Sequence, residues 1–132
     1  KGIRGEGEGD IKTHKDLKVW QESVNLVKLV YELTRNFPKS EEYGLTSQLK
    51  RAAISVPSNI AEGSARAYKK EFVQFLYIAL GSLSELETQL YIAKALTLAG
   101  SIEHVEEHIV NVRKMLLGLI KNLKNKQVDA DV

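Results

Sequence analysis

The chain has 132 residues, 43% of them hydrophobic, and its 19 lysines and arginines face 17 aspartates and glutamates. That is enough for one domain with a packed core, while a net charge of +2 excludes the overall basic excess of a dedicated nucleic-acid binder. With no cysteine, a disulfide framework, a thiolate metal site and a cysteine nucleophile are excluded, and a reducing cytoplasm is the expected setting.

Proline occurs only at positions 38 and 57, and Ala, Leu, Glu and Lys dominate, so an all-α domain is expected. The longest apolar run, Phe72 to Leu80, is interrupted by Gln74 and falls short of the ~18 residues a membrane span needs. A soluble protein without membrane contact is expected. The opening residues KGIRGEGEGDIK are rich in glycine and charge, and residues 1–15 read as a flexible extension or an expression remnant.

Asp16 is a suitable N-cap for a first helix over about 16–37, with Leu17, Trp20, Val24, Val27 and Tyr31 as its apolar stripe. Phe37-Pro38 should end it, because a residue before proline avoids helical angles. A second helix, about 44–63, carries Leu45, Leu49, Ala52, Val56 and Ile60, with Gly63 as its stop. The third, about 67–99, has a heptad stripe of Phe72, Leu76, Ala79, Leu83, Leu86, Leu90 and Ala93 up to a break at Gly100. Phe75, Ile78, Leu80, Tyr91 and Ile92 widen its apolar face, so it should be central or should face another subunit. The fourth, about 102–126, starts behind Ser101 as cap and carries Val105, Ile109, Val112, Leu116, Leu119 and Leu123, leaving 128–132 as a tail. Four such helices with short connections predict an antiparallel up-down-up-down four-helix bundle.

Within the second helix the string SVPSNIAEG, residues 55–63, places a proline where the pattern demands helix. Pro57 costs about 3 kcal/mol and frees the carbonyl of Ala53, so a kink is expected, with small residues around it letting a neighbour approach. Gln48, Arg51, Ser55, Ser58 and Glu62 form a polar stripe beside the apolar one, with Asn59 at the seam. Read functionally it is a groove for phosphate or another ligand; read structurally it is a network that fixes register, which the residues favour. Antiparallel pairing places Arg51 opposite Gly81 to Glu85 and predicts an Arg51 to Glu85 pair.

His104-Val105-Glu106-Glu107-His108 matches the string H-x-x-E-H of one zinc-protease class, but a compact bundle offers neither an obvious third ligand nor a substrate cleft. The match reads as accidental, with the glutamates complementing a helix N-terminus. No Ser/His/Asp constellation and no phosphate-cradling glycine loop can be assembled, so neither an enzyme nor a cofactor is expected. Basic residues cluster at Lys50-Arg51, at Arg66 with Lys69-Lys70, at Arg113-Lys114, and at Lys121 and Lys124. In one chain these are ordinary solvated faces, whereas a ring of copies repeats each cluster into a positive rim able to meet nucleic acid.

Leu17 to Gln21, Phe37-Pro38, Tyr43 to Thr46, Arg51 to Gly63, Glu71-Phe72 through Gly81-Ser82, and Glu85 to Leu90 together resemble the bacterial four-helix bundle proteins encoded in intervening sequences of 23S ribosomal RNA genes, the S23 type. The resemblance covers about 16–124; the accessory protein of diversity-generating retroelements is a more distant likeness. It implies a four-helix bundle assembled as a ring, typically a pentamer, and carries over no catalytic residue. In the retroelement relatives such a ring presents basic surface to nucleic acid and binds a reverse transcriptase; the near-neutral charge here departs from that branch. The expectation is therefore a non-enzymatic homo-oligomer with weak RNA or DNA binding, or alternatively an adaptor for a protein partner.

Overall fold

A computed structural model describes residues 13–131, with side chains through Lys126. Among the described residues there are four helices and no strand: α1 (Lys18–Thr34), α2 (Leu45–Ser64), α3 (Lys69–Ala95) and α4 (Glu103–Asp131), with 3-10 turns at His14–Asp16 and Lys39–Glu41. The expected N-terminal extension lies outside the described residues as far as Lys12. From Thr13 the chain forms a capped turn instead: the Thr13 hydroxyl accepts from the Lys15 N–H at 3.1 Å, and the Asp16 carboxylate accepts from the Thr13 N–H at 3.2 Å. Asp16 thus closes the turn before α1 rather than capping α1, whose N-cap position is Leu17 without a side-chain bond.

The helix ends differ from expectation in ways the local chemistry explains. Gly63 does not stop α2; it sits buried inside the last turn, which runs on to Ser64. α3 ends at Ala95, well short of Gly100, because Thr97 takes a left-handed conformation (φ 56°) and the Leu98 N–H bonds back to the Ala93 carbonyl at 2.9 Å. Ser101 stands two residues before α4, and α4 continues beyond the expected end at 126 to Asp131.

The antiparallel register of α2 and α3 is read from three contacts. Gln48 meets Gln89, Ser55 meets Ser82, and Gly63 meets Phe75, so the α3 number falls as the α2 number rises. α3 and α4 run antiparallel in the same way, Glu87 meeting Arg113 and Tyr77 meeting Lys124. α1 packs on α2 and α4, which closes the bundle. Its core holds Leu26, Val30, Leu49, Val56, Ile60, Leu76, Leu83, Leu86, Leu90, Ile109, Val112 and Leu116, all fully buried. Each large side chain moved out of water there contributes roughly 1.5–3 kcal/mol.

The predicted stripes of α2 and α3 are the buried ones, apart from Leu45 and Phe72, which are half-buried. On α4, Ile120 is buried where Leu119 was expected to be, the latter being half-buried. On α1 the core face is Val19, Ser23, Leu26, Val30 and Thr34, one step round from the predicted stripe, whose Trp20, Val24 and Val27 are half-buried and whose Tyr31 is exposed. The hydroxyls of Ser23 and Thr34 are satisfied on their own helix by the carbonyls of Trp20 (2.7 Å) and Tyr31 (3.2 Å), which lets both residues occupy core positions.

Candidate nucleic-acid interface and polar groove

The SVPSNIAEG stretch divides its residues among three directions. Ser55 points to α3, its hydroxyl 2.7 Å from that of Ser82, and Asn59 Nδ2 donates to the Ser55 carbonyl at 2.8 Å and to its hydroxyl at 2.9 Å. Pro57 is buried and Ser58 exposed, and both turn the other way, lining an apolar surface groove with Trp20, Val24, Val27, Ile54 and Ala61. Neither joins the polar network that was expected to include them. Glu62 pairs with Arg66 one turn on, at 3.2 Å, and both side chains are exposed. α2 passes through Pro57 without interruption. The Ser55 hydroxyl is engaged with Ser82 and Asn59.

Gly63 has a packing role. A Cβ there would stand 2.7 Å from Phe75 Cβ, 2.9 Å from Phe72 Cδ1 and 3.2 Å from the Phe72 carbonyl oxygen, so only glycine allows α3 this close to the last turn of α2. Arg66 then covers the Phe75 ring at 4.7 Å from its centroid.

Toward the other end of the same helix pair lies a polar groove of about 510 Å³, lined by Tyr43, Ser47, Gln48, Arg51, Ala52, Ser55, Glu85 and Gln89. Arg51 and Glu85 meet in it, as the antiparallel register requires, but they do not form an ion pair. Gln89 is buried; its Nε2 donates to Gln48 Oε1 at 3.3 Å, while its Oε1 has no partner. Ser82 and Gln89 were missed from the sequence. Their signal was present: polar residues seven apart beside the leucine stripe of α3 mark a seam where two helices share polar contacts.

The helix packing sorts the basic residues. Because α2 ends, α3 begins and α4 ends together, Arg66, Lys69, Lys70 and Lys124 lie toward one end of the bundle, whereas Lys121, level with Leu80, lies near the middle of α3. Lys126 joins them, and these five basic residues stand against Glu62, Glu71, Asp129 and Asp131. Lys69, Lys70 and Lys121 are exposed, while Lys124 donates to the Tyr77 hydroxyl at 2.9 Å. The other predicted basic residues do not join this end. Lys50 lies over the Tyr31 ring at 4.6 Å, Arg113 is tied to Glu87 at 2.9 Å, and Lys114 is exposed midway along α4. The opposite end carries Glu32, Glu41, Glu42, Glu103, Glu106 and Glu107 against Arg35, Lys39 and Lys94.

The histidine pair sits on the first turns of α4. The His104 and His108 rings are 6.4 Å apart, and His108 turns to α1, where Glu22 Oε1 lies 3.2 Å from its Nε2 but off the hydrogen-bond direction. Among the described residues no three side chains of the His, Cys, Asp and Glu types converge in a way that could hold a metal ion, and no helix is long and apolar enough to cross a membrane.

An antiparallel four-helix bundle, stitched along α2 and α3 by serine and amide contacts, is the class of protein these features define. The family model described as 23S rRNA-intervening sequence protein matches residues 15–118, and the chain belongs to that family. Its structure is similar to the crystal structure of a protein of unknown function from the S23 ribosomal protein family of Bacteroides thetaiotaomicron, with a TM-score of 0.72 at 21% identity, over 78% of this chain and 95% of that one. At that identity the likeness speaks to the fold. No curated protein matches the chain.

Proposed function

We propose that the protein is a non-enzymatic, cytoplasmic homo-oligomer that binds structured RNA through the basic end of its bundle. One observation carries the reading: the packing gathers Arg66, Lys69, Lys70 and Lys124, scattered over the sequence, toward a single end. In a ring of parallel copies these ends face one way, and a nearly neutral chain acquires a positive rim. Exposed Ile54, Ile78, Ile92 and Leu96 supply apolar surface for contacts between copies.

The test is the mass in solution by light scattering, with and without a structured RNA, followed by binding measured across salt concentrations. Affinity should fall with a log–log slope of about −0.7 to −0.9 for each phosphate neutralised. The variant carrying Lys69→Glu and Lys70→Glu should lose binding while keeping its mass. A monomer, or an oligomer indifferent to RNA at low salt, overturns the proposal. A second reading, an adaptor for a protein partner, rests on the exposed apolar residues along α3 and at its end, Ile78, Ile92 and Leu96, with Tyr91 exposed on the side toward α4. It requires salt-tolerant binding that survives the lysine changes.

A further inference from the structure

The polar groove between α2 and α3 plays no part in that reading. Arg51 stands fifteen residues from Arg66, about 22 Å along the helix axis. Two ionised side chains of opposite sign, Arg51 and Glu85, line it from facing helices, yet they are not paired with each other, and neither makes another polar contact within the described fold. Most exposed charges gain little from pairing, so this alone would mean nothing. The groove adds a second observation: buried Gln89 presents an Oε1 with no donor, behind an exposed Gln48 that is held by one long bond of 3.3 Å. Leaving a buried acceptor unmade is costly, so such atoms normally have partners.

We infer that this groove binds a small zwitterion of the α-amino-acid type, its carboxylate on Arg51 and its ammonium group on Glu85. A simple anion meets repulsion from Glu85, and a simple cation meets repulsion from Arg51. A molecule carrying both charges satisfies the two walls together through charge-assisted hydrogen bonds. Donors and acceptors from Ser47, Tyr43 and Gln48 line the remainder and favour a polar side chain on the ligand. Displacement of Gln48 lets a ligand N–H reach Gln89 Oε1.

The experiment is amide NMR of the isotope-labelled full chain, titrated with each of the twenty common L-amino acids up to about 10 mM. Saturable shifts confined to residues 43–55 and 82–89 are expected for at least one polar amino acid. Its des-amino and des-carboxy analogues, and the variants Arg51→Gln and Glu85→Gln, should each bind at least about tenfold more weakly, a loss of about 1.4 kcal/mol. Both side chains are exposed, so thermal unfolding of the variants should match the parent and separates lost binding from lost folding. The inference is overturned if no amino acid gives saturable shifts, if an analogue with one charge or inorganic phosphate binds as well as the zwitterion, or if the shifts centre on 66–70. None of these results bears on RNA binding at the basic end.

Discussion

Two residues concentrate the local strain and closeness of the fold. Thr97 ends α3 in the left-handed region, where a β-branched side chain is disfavoured by roughly 1–2 kcal/mol and glycine is at ease. Thr97→Gly should therefore stabilise the protein by about 0.5–1 kcal/mol, after the extra entropy of glycine in the unfolded chain is subtracted, seen as a higher urea midpoint at unchanged slope. Gly63 is the opposite case. In an open helix Gly→Ala gains about 1 kcal/mol, but here the added methyl meets Phe72 and Phe75 at 2.7–2.9 Å, and overpacking of that kind costs about 1–3 kcal/mol. Gly63→Ala should destabilise. A stabilised variant would show that the two phenylalanines yield easily.

At the scale of the element, the α2–α3 pair is held by contacts that apolar patterning alone does not reveal. Ser55→Ala should leave the Ser82 hydroxyl, in a residue 8% exposed, without its cross-helix partner and cost about 1–2 kcal/mol. Removing both hydroxyls should cost less than the sum of the single changes, and a denaturation double-mutant cycle measures the coupling. Additive losses would mean that each serine acts only through its own helix. α1 shows how a stripe can be misread. Two candidate faces lie one step apart, and the one containing Trp20 and Tyr31 is the more apolar in composition. The one containing Ser23 and Thr34 is buried, because each hydroxyl bonds a carbonyl of its own helix and hides its polarity.

For the whole molecule, charge acquires meaning only after the helices are placed. The sequence shows four basic clusters in a chain of net charge +2, and a ranking among them needs their positions in space. Antiparallel packing brings the turn after α2, the start of α3 and the end of α4 together, while Lys50 and Arg113 are engaged by Tyr31 and Glu87 elsewhere. The corresponding prediction is graded. Lys70→Gln should weaken RNA binding and reduce its salt slope by about one phosphate contact, whereas Arg113→Gln should leave both nearly unchanged and instead cost up to about 1 kcal/mol of stability through the lost Glu87 pair. Equal losses of RNA affinity from the two would remove the basic end from the mechanism. Anisotropy titrations at three or more salt concentrations decide it.

What the sequence determined by itself is the part governed by local periodicity: four helices, their approximate spans, the core stripes of α2, α3 and most of α4, and the antiparallel order that short connections impose. The opposition of Arg51 and Glu85 across one groove was legible for the same reason, since register follows from counting back along two helices from their turn. Only the tertiary structure decided how α1 is rotated, which residues of SVPSNIAEG face α3 and which face α1, why position 63 is glycine, and which lysines share an end. Those outcomes depend on distances between atoms far apart in the chain, on whether a methyl fits beside Phe75 or a hydroxyl finds a carbonyl, and no period of 3.6 residues encodes them.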